Sequence, residues 1–147
     1  MNTIDTRDLI ETRNDLKEQI LNDFNDKFNT EFDDFGEVIL EKLESKNFEY
    51  IDKEAMEEFK IYWSNEYAHI EEIDNIENEC EEFECGCTLV DEYNFEEYAE
   101  EELEQCGYFD KDFPQWIKNN INWEGIASDM KQDYSEVDYQ GTTYLYR

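Results

Sequence analysis

Carboxylates are the residues of this sequence that are most able to do chemistry. Asp and Glu number 42 against 12 Lys and Arg, which gives a formal net charge of -30. The excess is concentrated, because residues 61–110 contain 18 carboxylates and no Lys or Arg. Carboxylates can bind divalent cations, transfer protons, or present negative charge to a basic partner. The other residue types decide among these three uses.

Proton transfer and nucleophilic catalysis find little support in the remaining residues. His69 is the only histidine, and its place on an apparent helix beside several glutamates favours a partly exposed structural residue over a general base. The sequence has no Gly-rich phosphate loop and no G-x-S-x-G motif. We therefore predict that the protein is not an enzyme and needs no cofactor.

The residue spacings of known metal sites are also missing from the sequence. The cysteines have the spacing C-x4-C-x-C and a distant fourth, without the paired hooks of a zinc site, so reduced thiols are expected at Cys80, Cys85, Cys87 and Cys106. The segment 74–78 lacks the Gly and the terminal Glu of an EF-hand loop. Low-affinity divalent binding by the Glu clusters stays open as an alternative, and no metal ligands are predicted.

The charge excludes non-specific binding to nucleic acid or to an anionic membrane, since a surface that repels phosphate gains nothing from counterion release. A net charge of magnitude about 2–8 already keeps a small domain soluble. A compact chain of this mass exposes roughly 8,000 Å², or one net charge per about 270 Å². Duplex DNA carries roughly one charge per 110 Å² of its surface. Acids gathered on one face would approach that density.

Helices are predicted throughout the first half of the chain. An apolar stripe predicts a helix over about 6–28, capped by Thr6 or Asp5. A shorter helix is expected near 36–45. A third helix begins after the Asp52 cap and extends to residue 79, with an apolar face made of Met56, Phe59, Trp63, Tyr67, Ile70, Ile73 and Ile76.

The second half mixes strands and helices. A short strand is expected over 83–90, and a helix over 94–106 with an Asn94–Glu97 capping box and a stop at Gly107. Short helices follow Pro114 and the Asn122 cap. Alternating residues on both sides of Gln140-Gly141 predict a closing hairpin.

The expected fold class is therefore α+β. It has a helix-rich N-terminal half and a small antiparallel sheet of three strands, formed by the strand near 83–90 and the C-terminal hairpin, packed with helices. We divide the chain into a helical acidic region, 1–80, and an α+β module, 81–147, with one continuous domain as the alternative. No apolar stretch of about 20 residues and no signal-peptide pattern occur, so a soluble cytoplasmic protein is expected.

The last third of the chain resembles phage and mobile-element antirestriction proteins of the ArdA type. The residues that carry the resemblance are TLV at Thr88–Val90, YNFEEYAEEELEQCGYF at Tyr93–Phe109, FPQWIKNNINWEGIASDMKQDY at Phe113–Tyr134 and VDYQGTTYLYR at Val137–Arg147. The resemblance covers about 60 of the 147 residues. Residues 1–80 do not match the N-terminal portion of that family.

The resemblance implies an acidic, elongated and commonly dimeric protein that occupies the DNA groove of type I restriction-modification enzymes. The expected function is thus a DNA mimic that inhibits a bacterial defence enzyme in the host cytoplasm by competing for its basic cleft. A CRISPR effector or a host nuclease is the alternative target. An acidic adaptor that binds a basic protein without displacing DNA is the alternative of a different class.

The predicted interaction surface consists of carboxylates on the expected helices and their connection. These are Glu71, Glu72, Asp74, Glu77, Glu79, Glu81, Glu82, Glu84, Asp91, Glu92, Glu96, Glu97, Glu100, Glu101, Glu102 and Glu104. Three aromatic residues could anchor the partner or pack inside the fold: Tyr93, Tyr108 and Phe109. The hairpin tyrosines and Trp116 could instead form a self-association surface.

Overall fold

The structure is a computed structural model that describes residues 3–38, 52–109 and 112–147. The chain forms two compact units: a helical unit, residues 8–81, and a sheet unit, residues 1–7 together with 82–147. Helices accompanied by one small antiparallel sheet confirm the α+β class.

The described helices of the helical unit are α1 (Thr6–Phe28, from residue 8 onward), α2 (Lys53–Tyr62) and α3 (Ser64–Glu79). The predicted bounds of α1 are confirmed. The predicted Asp52 cap is also confirmed, since its Oδ1 accepts the Glu54 N–H at 3.1 Å. Of the helix expected near 36–45, the structure describes a single 3-10 turn, Phe35–Val38, and the rest lies outside the described residues.

Aromatic side chains fill the core of the helical unit. Phe24 and Phe59 are fully buried with Ile20 and Ile70. The Phe24 ring lies 4.6 Å from the Phe28 ring and 5.3 Å, edge-on, from the Phe59 ring, measured between centroids. Edge-to-face pairs of this kind stabilise a core by more than the burial of their surface area alone would give. The apolar stripes that predicted the helices therefore meet in one core.

The single helix predicted over 52–79 is wrong, because the chain breaks at Trp63 into α2 and α3. Trp63 leaves the helical conformation, with φ -99° and ψ 11°. The Ser64 hydroxyl donates to the Ile61 carbonyl at 2.9 Å, a local bond that competes with the helical ladder. The Trp63 indole N–H meanwhile donates to Asp23 Oδ2 on α1 at 2.7 Å. The break at Trp63 is therefore stabilised by one local hydrogen bond and by one hydrogen bond to α1.

The sheet unit contains β1 (Thr3–Asp5), β2 (Thr88–Asp91), β3 (Ser135–Tyr139) and β4 (Thr142–Tyr146), with α4 (Phe95–Gln105), α5 (Gln115–Lys118) and α6 (Trp123–Lys131). The strand order is β1-β2-β4-β3, and every pairing is antiparallel. Val90 and Leu145, which face each other across β2 and β4, are buried with Phe95 and Ala99 of α4 and Ala127 of α6. The two helices thus share one core with the central strands.

Local signals located most of the sheet unit correctly. Gln140 and Gly141 both have positive φ, 49° and 79°, as a two-residue hairpin turn of type I′ requires. The Asn122 side chain accepts the Gly125 N–H at 3.1 Å and caps α6 as predicted. Helix α4 ends before Gly107, whose φ is +82°. Cys106, which follows the last residue of α4, is exposed.

The predicted strand 83–90 is too long, and the sheet has four strands instead of three. Residues before Thr88 form a turn in which the N–H groups of Cys85 and Gly86 both bond to the Glu82 carbonyl at 3.1 Å. Gly86 has φ +97°, which prevents an extended strand there. The fourth strand, β1, has only three residues and pairs with β2.

Thr6 joins β1 to the turn before β2. Its hydroxyl, fully buried, donates to the Phe83 carbonyl at 2.7 Å and accepts the Cys87 N–H at 2.8 Å. The Asp5 carboxylate accepts the Arg7 N–H at 2.9 Å and therefore acts as the cap of α1. Of the two capping candidates, Asp5 caps α1. The Thr6 side chain instead bonds to the distant turn before β2.

We predict that Thr6→Val lowers the free energy of unfolding by about 1–3 kcal/mol. Valine keeps the shape but leaves a buried carbonyl and a buried N–H without their partner. Urea unfolding followed by circular dichroism measures the change. Thr88→Val, at an exposed position of β2, is the matched control and should change stability by less than about 0.5 kcal/mol. Equal effects of the two substitutions would contradict the role of Thr6.

Candidate interaction surface

Helix α4 presents the densest group of carboxylates in the sheet unit. Glu96, Glu97 and Glu104 are exposed, and three further glutamates, Glu100, Glu101 and Glu102, are half-buried. The helix carries no Lys or Arg. Pairs such as Glu96–Glu100 and Glu97–Glu101 lie one turn apart, where like charges cost a few tenths of a kcal/mol each. The helix keeps its acid in spite of a local cost in stability.

Asp91, one of the predicted surface carboxylates, is buried and accepts hydrogen bonds within the sheet unit. Its side chain is buried, with 8% exposure for the residue. Its Oδ1 accepts the Tyr93 N–H at 3.0 Å, and its Oδ2 accepts the Asn94 side-chain N–H at 3.3 Å. Asn94 makes no side-chain cap of its own, so the predicted Asn94–Glu97 capping box is wrong. Asp91 caps the 3-10 turn Glu92–Asn94 that leads into α4.

The C-terminal end of α4 is partly neutralised by α5. The Lys118 ammonium forms an ion pair with Glu104 and lies 5.8 Å from the centroid of the Phe109 ring. Glu104 is therefore the only α4 glutamate with an ion pair among the described residues. Tyr98, on the apolar side of the same helix, has a raised pKa because of burial, with Tyr134 and Glu102 adding to the effect.

The predicted carboxylates of the helical unit belong to α3 and the residues just after it. Glu71, Glu79 and Glu81 are exposed, whereas Glu72, Asp74 and Glu77 are half-buried. Two of these half-buried groups face Arg13 of α1: its Nη1 lies 2.7 Å from Asp74 Oδ1 and 2.6 Å from Glu77 Oε2. Burial acts to lower the pKa of Arg13, but the hydrogen bonds to Glu77 and Asp74 overcome it and raise the pKa.

The remaining predicted carboxylates flank β2. Glu82 and Glu84 are exposed in the turn before it, and Glu92 is half-buried in the turn after it. Half of the sixteen predicted carboxylates are therefore exposed. The predicted set also includes Asp91, Asp74 and Glu77, whose contacts lie within their own units.

The three predicted aromatic anchors differ in exposure. Tyr93 is 93% exposed and Tyr108 is 69% exposed. Phe109 packs edge-on against Phe113, with centroids 4.8 Å apart, and against Trp123 at 5.7 Å. Two of the candidates are therefore available at the surface, and Phe109 belongs to a local aromatic cluster.

The aromatic residues considered for self-association also differ. Trp116 on α5 is 70% exposed. Tyr139 and Tyr144 of the hairpin are half-buried, with ring centroids 6.5 Å apart. Trp116 is the member of this group that presents a large apolar surface to solvent.

A cleft beside the start of α4 was not predicted. It has a volume of about 500 Å³ and is lined by Glu92, Tyr93, Glu96, Glu124 and Lys131. The Lys131 ammonium lies 5.6 Å from the centroid of the buried Phe95 ring. The sequence contains no pattern that predicts contact between α4 and α6. The cleft therefore becomes visible only when these helices are packed in the structure.

Basic residues are largely engaged within their own units. In the sheet unit Arg7 forms an ion pair with Asp5 at 2.6 Å, and hydrogen bonds from Arg7 lower the pKa of Asp5 to about 2. In the helical unit Lys17 lies 5.5 Å from the Phe35 ring centroid, and Lys60 lies 3.7 Å from Glu57. Among the described residues, the ion pair between Lys118 and Glu104 is the one that involves a glutamate of α4.

Groups that could hold a metal or do covalent chemistry are sparse. All four cysteines are free thiols; Cys80 and Cys87 are buried, and Cys85 and Cys106 are exposed. Within residues 3–38, 52–109 and 112–147, no group of three or more His, Cys, Asp or Glu side chains is arranged to hold a metal ion. His69 is half-buried on α3.

Comparison with known proteins gives no relative: no protein-family model, curated protein or solved structure matches this chain. In the part of the chain that the structure describes, no helix has the length and apolar character needed to cross a membrane.

We predict that Arg13→Gln lowers the free energy of unfolding by about 1–2 kcal/mol, because it leaves Asp74 and Glu77 facing each other without their shared cation. Thermal or urea unfolding measures the loss. The triple variant Arg13→Gln, Asp74→Asn, Glu77→Gln should recover at least half of it. Lys27→Gln removes the same charge from an exposed position of α1 and serves as the control. A triple variant no more stable than Arg13→Gln would refute the proposed repulsion.

Proposed function

We propose that this protein is a DNA mimic that inhibits a bacterial DNA-binding defence enzyme in the cytoplasm by occupying its DNA-binding cleft. The observation that carries the proposal is the run of 18 carboxylates without Lys or Arg over residues 61–110. Clefts that bind DNA gain most of their non-specific affinity from phosphate charge, so a folded polyanion can compete for them. The mechanism needs no covalent step and no cofactor.

The charge density of α4 supports this proposal quantitatively. Leaving out Glu104, which pairs with Lys118, five glutamates between Glu96 and Glu102 span about 9 Å of helix axis at about 1.5 Å per residue. That is one charge per about 2 Å, close to the one charge per about 1.7 Å of duplex DNA. Because the helix holds its side chains in fixed directions, this charge is pre-organised in a way that a flexible acidic tail is not.

Type I restriction-modification enzymes are the target class that we propose first. The basis is the resemblance of the last third of the chain to ArdA antirestriction proteins, which includes the α4 segment itself. A CRISPR effector or a host nuclease would offer the same basic cleft, and the assay below distinguishes these targets. Rapid association that weakens strongly with salt is expected for any of them.

The test is competition for duplex DNA. A purified type I restriction enzyme is given unmodified duplex DNA with increasing amounts of this protein, in parallel with a Cas9-type effector and a non-specific nuclease. The proposal expects inhibition of cleavage by one of them, relieved by excess duplex DNA and by NaCl. Stable binding to the DNA-loaded enzyme without displacement of DNA would contradict mimicry and would identify an adaptor.

We predict that the quadruple variant Glu96→Gln, Glu97→Gln, Glu100→Gln, Glu101→Gln inhibits the target at least about tenfold more weakly. Four exposed or half-exposed contacts of a few tenths to one kcal/mol each are lost together. Glu97→Gln alone should change inhibition by less than about threefold. The half-maximal inhibitory concentration measures both.

The matched control removes four exposed carboxylates from α1: Asp8→Asn, Glu11→Gln, Asp15→Asn and Glu18→Gln. It changes the net charge by the same amount outside the predicted surface. Equal weakening by the α1 and α4 variants would show that total charge, and not the α4 surface, determines inhibition.

A further inference from the structure

The cleft between the start of α4 and α6 is a concave site with an excess of negative charge. Glu92 and Glu96 line it from the α4 side, and Glu124 and Lys131 line it from α6. Three carboxylates against one ammonium leave two negative charges without a matching cation in the lining. A cleft of about 500 Å³ lies within the roughly 300–1,000 Å³ of ordinary ligand sites. Its size suits one long side chain.

Lys131, the cation in the lining of this cleft, also contacts an aromatic ring of the core. The Lys131 ammonium lies 5.6 Å from the Phe95 centroid, within the range of a cation–π contact. Phe95 is fully buried in the core of the sheet unit and does not itself line the cleft. The contact gives the Lys131 ammonium a partner in the core, so the three carboxylates of the lining are not its only neighbours.

The aromatic ring that lines the cleft is exposed to solvent. Tyr93 lines the cleft, and 93% of its surface is exposed. Its backbone is held by the Tyr93 N–H bond to the buried Asp91 carboxylate, at 3.0 Å. The ring is thus attached to an ordered turn, and a planar cation that stacks on it would bury apolar surface that is now in water.

We propose that this cleft binds an arginine side chain of a basic partner protein, with the guanidinium stacked on Tyr93 and paired with Glu92, Glu96 or Glu124. Arginine fits better than lysine because its planar guanidinium stacks on aromatic faces and forms two parallel bonds to a carboxylate. The partner is taken from the proposed function, but the arginine site is a separate property of the sheet unit. It would give the complex a fixed anchor beyond diffuse charge.

The experiment measures binding of hexa-arginine and hexalysine peptides by titration calorimetry in about 150 mM NaCl, where diffuse attraction is largely screened. The proposal expects hexa-arginine to bind about fivefold or more tightly than hexalysine. Tyr93→Leu should abolish that preference. Because Tyr93 is exposed, its replacement should leave the unfolding midpoint unchanged, which circular dichroism checks.

Two triple variants with equal charge separate the cleft from the general acidic surface. The cleft variant is Glu92→Gln, Glu96→Gln, Glu124→Gln, and the control is Glu97→Gln, Glu100→Gln, Glu101→Gln. The cleft variant should weaken hexa-arginine binding about tenfold, and the control less than about threefold. Equal weakening would overturn the proposal, because binding would then follow total charge alone.

Two further results would also overturn the proposed arginine site. Free arginine that binds as tightly as hexa-arginine would identify a small-molecule site and overturn the assignment to a protein side chain. Retention of the arginine preference in Tyr93→Leu would overturn the stacking role. Since no defence enzyme enters this assay, failure of DNA mimicry and failure of the arginine site are detected separately.

Discussion

Repulsion among carboxylates is the constraint on which the rest of the structure depends. With 42 acids and 12 bases, the chain cannot pair most of its negative groups. Two of the few cations pair with carboxylates of another helix: Arg13 joins α1 to α3, and Lys118 joins α5 to α4. Each of these two side chains stabilises one contact between helices within its own unit. In the described part of the chain, the glutamates of α4 other than Glu104 have no ion pair with a Lys or Arg.

Cohesion against this repulsion comes from aromatic burial in each unit separately. In the helical unit the Phe24, Phe28 and Phe59 rings contact one another at 4.6 to 5.7 Å. In the sheet unit the Phe95 and Tyr134 rings meet edge-on at 5.0 Å. Large rings bury much area per residue, so a chain with only 39% hydrophobic residues can still form cores beneath an acidic surface. The high aromatic content and the high charge are therefore linked.

The sequence predicted those features whose causes are local. The bounds of α1, the Asp52 and Asn122 caps and the hairpin turn depend on residues within one or two turns of one another. The strand β1 and the role of Thr6 were missed because their partners lie more than 75 residues away in the chain. The same reason applies to the candidate surface. The exposed glutamates follow from composition, whereas the burial of Asp91 and the clamp at Arg13 depend on tertiary contacts.

Charge density and specificity make different demands on such a surface. A regular array of glutamates accelerates encounter and competes with phosphate, but it fits any sufficiently basic cleft and loses strength as salt rises. A concave site with a stacking ring adds a short-range contact that salt screens less and that only a correctly placed arginine can use. The turn after β2 connects the two features, because the buried Asp91 holds the backbone of Tyr93 immediately before α4 begins. The Asp91 cap thus holds the backbone of both Tyr93 and the turn that leads into the first glutamates of α4.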